Sequence, residues 1–225
     1  MSAPDPILVN ALQQASSNEL GEVDKAIHQL KRYRESPEAF EKLVELTTKH
    51  EDGNTRYYAM NALIGFRDFK LKKICEDRII NDPDYRLAQV ALNIASAQKF
   101  PGFENSFLLA CEHEHKSVRQ WAVDGIGNNK IARGESLLLE IAKGDPERNI
   151  QYAALRSLTN GLKSYAVFPL LKEMLQRTDE PDRWNALNNL MMWKSNPDAL
   201  DMLEPYRDDP KIGSRVIPHL EKYGR

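Results

Sequence analysis

A short pattern of small and aliphatic residues returns along this chain every 29 to 34 residues. Aligned on one small position, which we call the anchor, the copies stand at Ala26, Ala59, Ala88, Ala122, Ala154, Ala186 and Pro218. In the complete copies a small or short polar residue and an aliphatic residue follow three and four places later, as Gly125 and Ile126 follow Ala122. Positions i, i+3 and i+4 lie on one face of an α-helix. The pattern therefore predicts one helix per copy, with small side chains that let a neighbouring helix approach closely.

A polar turn precedes each of these helices, and a second helical segment lies between successive copies. The turns carry Asp, Asn and Pro, as in NDPDYR and TDEPDR; Asp and Asn cap exposed N–H groups, and Pro suits the first helical turn. The second segments, such as PEAFEKLVELTTK, also repeat apolar residues at three and four. Pro169 and Pro205 fall inside two of them and should bend or shorten those helices. No long stretch alternates polar and apolar residues, so no strand is predicted.

Each copy is thus a helix–turn–helix unit of about 32 residues that cannot bury its apolar face alone. Stacked neighbours share a continuous core, which explains why the pattern recurs. The sequence predicts an all-α fold, an α-solenoid (superhelix) of about six to seven such repeats. We expect one repeat domain over residues 1–225, with an N-terminal capping helix in 1–18, repeats in 19–210 and a C-terminal capping helix in 211–225. Pro218 in the anchor column indicates an atypical last repeat.

Composition and charge narrow the classes of partner and the compartment. The 225 residues are 41% hydrophobic and 28% charged, with a net charge of −2, which is typical of a soluble globular protein. This balance disfavours non-specific binding to nucleic acid or to anionic membranes. The chain has no run of 18 apolar residues, and MSAPDPILVNALQQASS lacks the basic region and long apolar run of a signal peptide. We expect a cytoplasmic protein in which Cys75 and Cys111 are reduced thiols.

The copies resemble HEAT-like repeats, in the short-period form found in the phycobilisome lyase group. The resemblance lies in the segments DPDYRLAQVALNIA, HKSVRQWAVDGIG and DEPDRWNALNNL, and it covers residues 20–223. It implies that the helix after each turn lines a concave inner surface and that the other helix forms the convex back. Such repeats serve many unrelated roles, so the resemblance is specific for fold and weak for function.

Two columns of residues on the inner helices are candidates for contact with a partner. With the anchors in the core, the positions two before them should be exposed, and these are Tyr57, Arg86, Gln120, Tyr152 and Trp184. The positions two after them should be exposed as well, and these are Asn61, Val90, Asp124, Arg156 and Asn188. Aromatic and Arg side chains are frequent anchors of protein interfaces, although Tyr and Trp at this spacing also occur at the edge of a core. The predicted partner-binding residues are Tyr57, Arg86, Gln120, Asp124, Tyr152, Arg156, Trp184 and Asn188.

A series of arginines stands three residues before the anchors, at Arg56, Arg119, Arg183 and Arg215. A phosphate-binding role is one interpretation of this series. The alternative is that each Arg pairs with an Asp of an adjacent turn, drawn from Asp52, Asp82, Asp145 and Asp179. A single exposed pair contributes about 0–1 kcal/mol, so we expect the series to fix the register between repeats.

No motif in the sequence names a reaction. The segment CEHEHK groups Cys111, His113 and His115, but this spacing matches no established zinc pattern. The HEAT-repeat deoxyhypusine hydroxylases use several His-Glu pairs around two irons, whereas this chain has one such pair, placed ahead of an inner helix. GIGNNK lacks the preceding strand and the spacing of a P-loop, and is typical of a helix end. We predict no metal, no cofactor and no catalytic residue.

These observations favour a non-enzymatic protein–protein interaction module, or scaffold, that binds a protein or peptide in its concave groove. One alternative, implied by the style of the repeats, is a bilin lyase or chaperone of the phycobilisome lyase type. Another is a HEAT-like DNA glycosylase, whose Trp, Asp and Arg are partly matched by Trp184, Asp124 and Arg156. The acidic net charge opposes this, because phosphate contacts supply most of the affinity for DNA. The sequence identifies no particular partner, and we expect neither a membrane nor a nucleic acid.

Overall fold

The computed structural model describes residues 5–98 and 102–223, and over these ranges the chain forms fourteen α-helices and no strand. The all-α prediction is therefore confirmed. The helices are α1 Pro6–Gln14, α2 Leu20–Leu30, α3 Pro37–Lys49, α4 Gly53–Ala62, α5 Lys70–Asn81, α6 Tyr85–Gln98, α7 Glu104–Ala110, α8 Lys116–Asn128, α9 Glu135–Gly144, α10 Arg148–Arg156, α11 Phe168–Gln176, α12 Glu180–Met191, α13 Pro197–Leu203 and α14 Gly213–Tyr223.

The helices alternate between the two kinds that the sequence predicts. The even-numbered helices carry the anchor residues and are called B helices; the odd-numbered ones are called A helices. Consecutive helices pack as hairpins, α1 with α2, α3 with α4 and α5 with α6, and later α9 with α10 and α11 with α12. B helices of successive hairpins also pack together, α2 on α4 and α4 on α6. Hairpins stacked in this way are the repeats of an α-solenoid, as predicted.

The chain divides into two compact units, Met1–Ala122 and Val123–Arg225, and the division falls inside α8. They are called unit 1 and unit 2. Each has its own set of fully buried aliphatic side chains, in unit 1 Leu30, Leu43, Leu63 and Leu71, and in unit 2 Leu138, Leu155, Leu187 and Leu190. The single repeat domain over 1–225, with capping roles for 1–18 and 211–225, stays a prediction.

The anchor column lies in the core wherever it holds alanine. All six anchor alanines are at most 1% exposed, and from the copy at Ala59 onward the residues three and four places after each anchor alanine, such as Ala91 and Leu92, are buried as well. Pro218 differs, because it is exposed inside α14, where Val216, His219 and Leu220 face the core instead. The last copy is therefore atypical, as its proline indicates.

Polar caps fix where the B helices begin. Asp52 accepts a hydrogen bond from the N–H of Thr55 at 2.8 Å, and Asp179 accepts one from the N–H of Asp182 at 3.2 Å. Side-chain oxygens at these positions satisfy N–H groups that have no partner within the helix. Among the A helices, Pro169 lies in the first turn of α11 and Pro205 follows the end of α13. Both helices are shortened by proline, which was one of the two expected effects.

In unit 2 the backbone of α8 contacts the backbone of the segment that follows α10. The chain continues from α10 into a π-helical segment, Ser157–Leu162. A Cβ atom added at Gly161 would stand 2.5 Å from the Cα atom of Gly127, and one at Gly127 would stand 2.7 Å from the Cβ atom of Ser157. The Ser157 hydroxyl donates a hydrogen bond to the carbonyl of Val123 at 2.9 Å. Glycine at these two positions permits this close approach.

Candidate partner-binding site

All eight predicted partner-binding residues lie on B helices, but the column two residues before the anchors is less exposed than expected. Its five members, Tyr57, Arg86, Gln120, Tyr152 and Trp184, are each half-buried. Three of them are partly covered by a residue of the next repeat, across the junction that we call the seam. Arg86 covers Tyr57, Asp182 binds Tyr152, and Arg215 covers Trp184. This column therefore belongs partly to the packing between repeats and partly to the surface.

The column two residues after the anchors is mostly on the surface, with one correction. Asn61 and Asn188 are exposed, and the side chains of Arg156 and Asp124 are 55% and 35% exposed. Val90, which we expected to be exposed, is buried. The reason is that α6 packs against both α4 and α7, so an apolar side chain at this position is enclosed.

In unit 1 the structure brings Tyr57 and Arg86 together. The guanidinium carbon of Arg86 lies 5.0 Å from the centre of the Tyr57 ring, in the geometry of a cation–π contact. Arg86 is held from the other side by the Asp84 carboxylate, with Nε 2.9 Å from Oδ1, and by Asn54 Oδ1 at 3.0 Å. The hydrogen bonds from Arg86 lower the pKa of Asp84, although burial opposes this. Gln120 lies half-buried on α8 of the same unit.

In unit 2 Tyr152 is part of a buried hydrogen-bond network that sequence reasoning missed. Its hydroxyl donates to Oδ1 of Asp182 at 2.7 Å, and Nη1 of Arg177 donates to Oδ2 at 2.8 Å. Asp182 is only 6% exposed. Burial acts to raise its pKa, but the hydrogen bonds from Arg177 and Tyr152 outweigh burial, so the pKa of Asp182 is lowered. Burial and then Asp182 raise the pKa of Tyr152. The turn sequence TDEPDR contains Asp182, but gives no sign of its partners.

The other predicted residues of unit 2 form two contacts on the surface. Nη2 of Arg156 lies 2.8 Å from Oδ1 of Asp124, so these two residues are an ion pair between α10 and α8. The guanidinium carbon of Arg215 lies 5.5 Å from the centre of the Trp184 ring. Asn188 is exposed one helical turn after Trp184. The network around Tyr152 and these two contacts fix the orientation of side chains on three B helices.

In the arginine series, Arg56 and Arg183 form ion pairs with aspartates of the following turn. Arg56 binds both carboxylate oxygens of Asp82 in the next turn, at 3.1 and 3.2 Å, and the two side chains are 14% and 1% exposed. This confirms the predicted pairing there. Arg183 makes the equivalent ion pair with Asp209, a partner that we did not predict. Burial acts to raise the pKa of Asp209. The hydrogen bonds from Arg183 and from two backbone N–H groups lower it by more, so the pKa of Asp209 is lowered overall.

Other members of that prediction make the following contacts. Arg119 donates to the carbonyls of His113 and Glu114, each at 3.0 Å. Arg215 is exposed and lies over Trp184. Asp52 and Asp179 act as helix caps, and Asp179 also lies 3.2 Å from Arg148.

The segment with Cys111, His113 and His115 forms a packed turn. Cys111 is buried, and Nδ1 of His113 accepts a hydrogen bond from the N–H of His115 at 2.9 Å. The ring of His115 is stacked on Tyr85 with 3.8 Å between the ring centres. Within residues 5–98 and 102–223, no three His, Cys, Asp or Glu side chains are grouped to hold a metal ion. The other cysteine, Cys75, is a buried thiol, and burial raises its pKa to about 12.

In the part of the chain that the structure describes, no helix has the length and apolar character needed to cross a membrane. The GIGNNK segment forms the end of α8 and the turn after it, as predicted. Gly127 of that segment makes the backbone contact with Gly161 described above.

The solved structures similar to this chain include one whose TM-score, above 0.5, shows the same fold. A chain of the complex of CpcE and CpcF of phycocyanin lyase from Nostoc sp. PCC7120 is 17% identical with a TM-score of 0.53, over 100% of this chain and 97% of that one. An engineered protein is 15% identical with a TM-score of 0.41, over 97% and 95% of the two chains. Human deoxyhypusine hydroxylase in complex with glycerol is 18% identical with a TM-score of 0.39, over 96% and 84%. No curated protein matches the sequence.

Comparison with protein families gives two overlapping matches to HEAT repeats, at residues 104–191 and 135–216. Together they span residues 104–216, just over half of the chain. They include the B helices α8, α10 and α12, whose anchors Ala122, Ala154 and Ala186 are spaced by 32 residues. The chain belongs to the HEAT-repeat family.

Proposed function

We propose that this protein is a non-enzymatic interaction module that binds a protein or peptide partner on the exposed face of its B helices. In unit 2 the proposed surface consists of Asp124, Tyr152, Arg156, Trp184 and Asn188, and is called the unit 2 surface. Tyr57, Arg86 and Gln120 are the corresponding residues of unit 1. The observation that carries the proposal is that these side chains are partly exposed and already held in place by neighbouring repeats.

Fixed side chains favour binding because less conformational entropy is lost when the partner arrives. Ordering one long side chain at an interface costs about 0.5–1.5 kcal/mol. Tyr152 is held by Asp182, Arg156 by Asp124 and Trp184 by Arg215. Tyr, Trp and Arg are also the residues that most often dominate the affinity of protein interfaces. The unit 2 surface thus combines suitable residue types with contacts that orient three of its side chains.

The comparison with solved structures agrees with a protein partner. The phycocyanin lyase chain that shares this fold was solved as a complex of two proteins, CpcE and CpcF. At 17% identity this likeness concerns the fold, so the partner is to be identified by experiment.

The test is affinity capture from the native lysate with two matched double variants. Arg156→Ser with Asn188→Lys changes the unit 2 surface, and Lys172→Ser with Gln176→Lys makes the same types of change on the A helix α11. All four residues are exposed, so both variants should fold like the wild type. We expect the wild type and the α11 variant to capture the same proteins and the unit 2 surface variant to lose them. Equal capture by both variants would contradict the proposal.

The bilin lyase or chaperone role is the alternative, and the fold shared with a phycocyanin lyase chain favours it. It predicts that the purified protein binds an open-chain tetrapyrrole and that the absorbance spectrum of the pigment changes on binding. An unchanged spectrum would remove this alternative and leave the interaction module. A saturable spectral change would support the bilin lyase or chaperone role instead of a purely protein-binding role.

A further inference from the structure

Unit 1 contains an open cleft between the B helices α2 and α4 that the sequence analysis did not identify. It consists of two hollows of about 410 and 710 Å³ that share Lys31, Asn61 and Ala62 as lining residues. Ile27 and Ile64 contribute apolar side chains to its walls. Each hollow has a volume within the roughly 300–1,000 Å³ of a small-molecule pocket, but both are wide open to solvent and adjoin each other along α2. The shape of the cleft therefore suits an extended segment of chain.

Three cations line this cleft without a carboxylate partner. Lys31, Arg32 and Arg34 are all exposed lining residues, and none forms an ion pair with any residue in 5–98 or 102–223. The nitrogen Nζ of Lys31 lies 3.2 Å from Nδ1 of His28, which is also in the lining. Asp24 is the one carboxylate among the described lining residues. The cleft therefore carries an excess of positive charge in a chain whose net charge is −2.

Three other arginines of unit 1 form ion pairs with aspartates. Arg56 and Arg78 both bind Asp82, and Arg86 binds Asp84. The cations of the cleft are thus different from the structural arginines around the turns. Their charges remain available to an anionic group from outside.

The position of Arg34 depends on the glycine opposite. A Cβ atom at Gly65 would stand 2.5 Å from Nε and 2.6 Å from Cζ of Arg34. The guanidinium therefore lies directly on the backbone of the 3-10 turn Leu63–Gly65, in space that any other residue would fill. This contact places the Arg34 guanidinium at the cleft, and it does not pair the guanidinium with a carboxylate.

Helix ends explain only part of this cluster. Lys31 and Arg32 follow the last residue of α2, where a cation stabilises the helix dipole by about 0.3–1 kcal/mol. Arg34 lies four residues beyond that end, outside the range of the effect. Neither the contact of Arg34 with Gly65 nor the cleft itself follows from helix stability.

We propose that this cleft is a docking site for an acidic peptide segment of the protein partner. Carboxylates of the segment pair with Lys31, Arg32 and Arg34, and an apolar side chain of the segment packs against the half-buried Ile64. Charge complementarity selects the occupant, since exposed unpaired cations attract carboxylates and speed their association. The inference rests on the proposed function in taking the partner to be a protein, but it uses a surface in the other unit.

The test measures fluorescence anisotropy with three fluorescein-labelled peptides of twelve residues. The first is rich in Glu around a central Leu, the second replaces each Glu by Gln, and the third replaces the Leu by Ser. We expect the first peptide to bind at least about tenfold more tightly than the second and severalfold more tightly than the third. Raising the salt from 50 to 300 mM should weaken its binding, because the attraction between exposed charges is screened.

Variants locate the site. Lys31→Gln with Arg34→Gln should reduce the affinity for the Glu peptide about tenfold, whereas the matched variant Lys143→Gln with Lys172→Gln, at exposed positions of α9 and α11, should leave it unchanged. Gly65→Ala should also weaken binding, because the new methyl group displaces Arg34. Far-UV circular dichroism and thermal unfolding of each variant show whether it folds like the wild type.

Three results would overturn the proposal. They are equal affinity for the Glu and Gln peptides, unchanged affinity in Lys31→Gln with Arg34→Gln, and tighter binding of a single-stranded DNA of twelve nucleotides than of the Glu peptide. Lysate capture separates this failure from that of the proposed function. If the unit 2 surface variant loses the partner while no peptide binds the cleft, the docking site alone is wrong. If the Glu peptide binds while the unit 2 surface variant still captures every partner, the proposed surface alone is wrong.

Discussion

The two units build the seam between neighbouring B helices in opposite ways. In unit 1, Lys31 stands five residues after the anchor Ala26, and the seam between α2 and α4 opens into a cleft. In unit 2, Gly127 stands five residues after the anchor Ala122, and it meets Gly161 backbone to backbone. One repeat pattern therefore occurs both with an open, positively charged seam and with a closed one.

Charge pairing differs between the cleft of unit 1 and the B helices of unit 2. The cations that line the cleft of unit 1 have no carboxylate partner among the residues described. In unit 2, Arg148, Arg156 and Arg177 each lie within 3.2 Å of an Asp oxygen. The comparison teaches that the repeat fixes the core, whereas a few positions at its edge decide whether a seam is closed by packing or left open to a partner.

The largest expected effect comes from filling the closed seam. Gly161→Ala places a methyl group 2.5 Å from the backbone of Gly127, so the two helices must move apart. We expect the free energy of unfolding to fall by about 3 kcal/mol in urea titrations. The control is Gly21→Ala in α2, where nothing lies within 4 Å; it should gain about 0.5–1 kcal/mol. Similar values for the two variants would show that the backbone contact does not exist.

The next effect distinguishes buried from exposed ion pairs. Arg56→Leu removes one of two guanidinium groups from Asp82, whose side chain is 1% exposed, and should cost about 2 kcal/mol. Arg156→Leu breaks an exposed pair with Asp124 and should cost about 0–1 kcal/mol. Chemical denaturation of both variants measures the difference. An equal loss of stability in the two variants would mean that burial does not determine how much an ion pair contributes.

Acid should destabilise the protein through aspartates whose pKa is lowered in the folded state. Asp209 is one of these, because hydrogen bonds from Arg183 and two backbone N–H groups outweigh its burial. A lowered pKa contributes stability above the unfolded value of about 3.9, and this contribution is lost as pH falls through the folded value. The free energy of unfolding should be level between about pH 7 and 5 and fall below about pH 4.

The variant Asp209→Asn isolates the contribution of that carboxylate. Asn can still accept the hydrogen bonds from the N–H groups of Lys211 and Ile212 in the turn before α14, but it carries no charge for Arg183 to bind. We expect the variant to be about 1 kcal/mol less stable than the wild type at pH 7, with a smaller loss below pH 4. A pH profile parallel to that of the wild type would exclude Asp209 as a source of the acid sensitivity.

The smallest effect tests the network below the unit 2 surface. Tyr152→Phe keeps the ring and removes the hydroxyl that donates to Asp182 at 2.7 Å. Asp182 keeps its bond to Arg177, so we expect a loss of about 0.5–1 kcal/mol in stability. The comparison with Tyr165→Phe, whose hydroxyl lies 3.3 Å from Asn196 and whose side chain is exposed, should show no measurable loss.

The sequence predicts those features that depend on local periodicity. The buried anchors, the caps at Asp52 and Asp179 and the pairing of Arg56 with Asp82 all follow from residues at regular spacing. Asp182, the contact of Gly127 with Gly161 and the cleft beside Lys31 do not, because each depends on the distance between helices that are about 30 residues apart in sequence. For the same reason the sequence left open whether the column containing Tyr57 and Trp184 lies on the surface or at the edge of the core. Periodicity gives the direction of a side chain, but not how closely the next repeat covers it.

The most direct test of the proposed role is hydrogen exchange on the protein with and without the partner captured from the lysate. Binding to the unit 2 surface should slow exchange of the backbone amides in the B helices α10 and α12, around Tyr152 to Arg156 and Trp184 to Asn188. The A helices α9 and α11 should exchange at the same rate in both samples. Protection of α9 and α11 with no change in α10 and α12 would contradict the account.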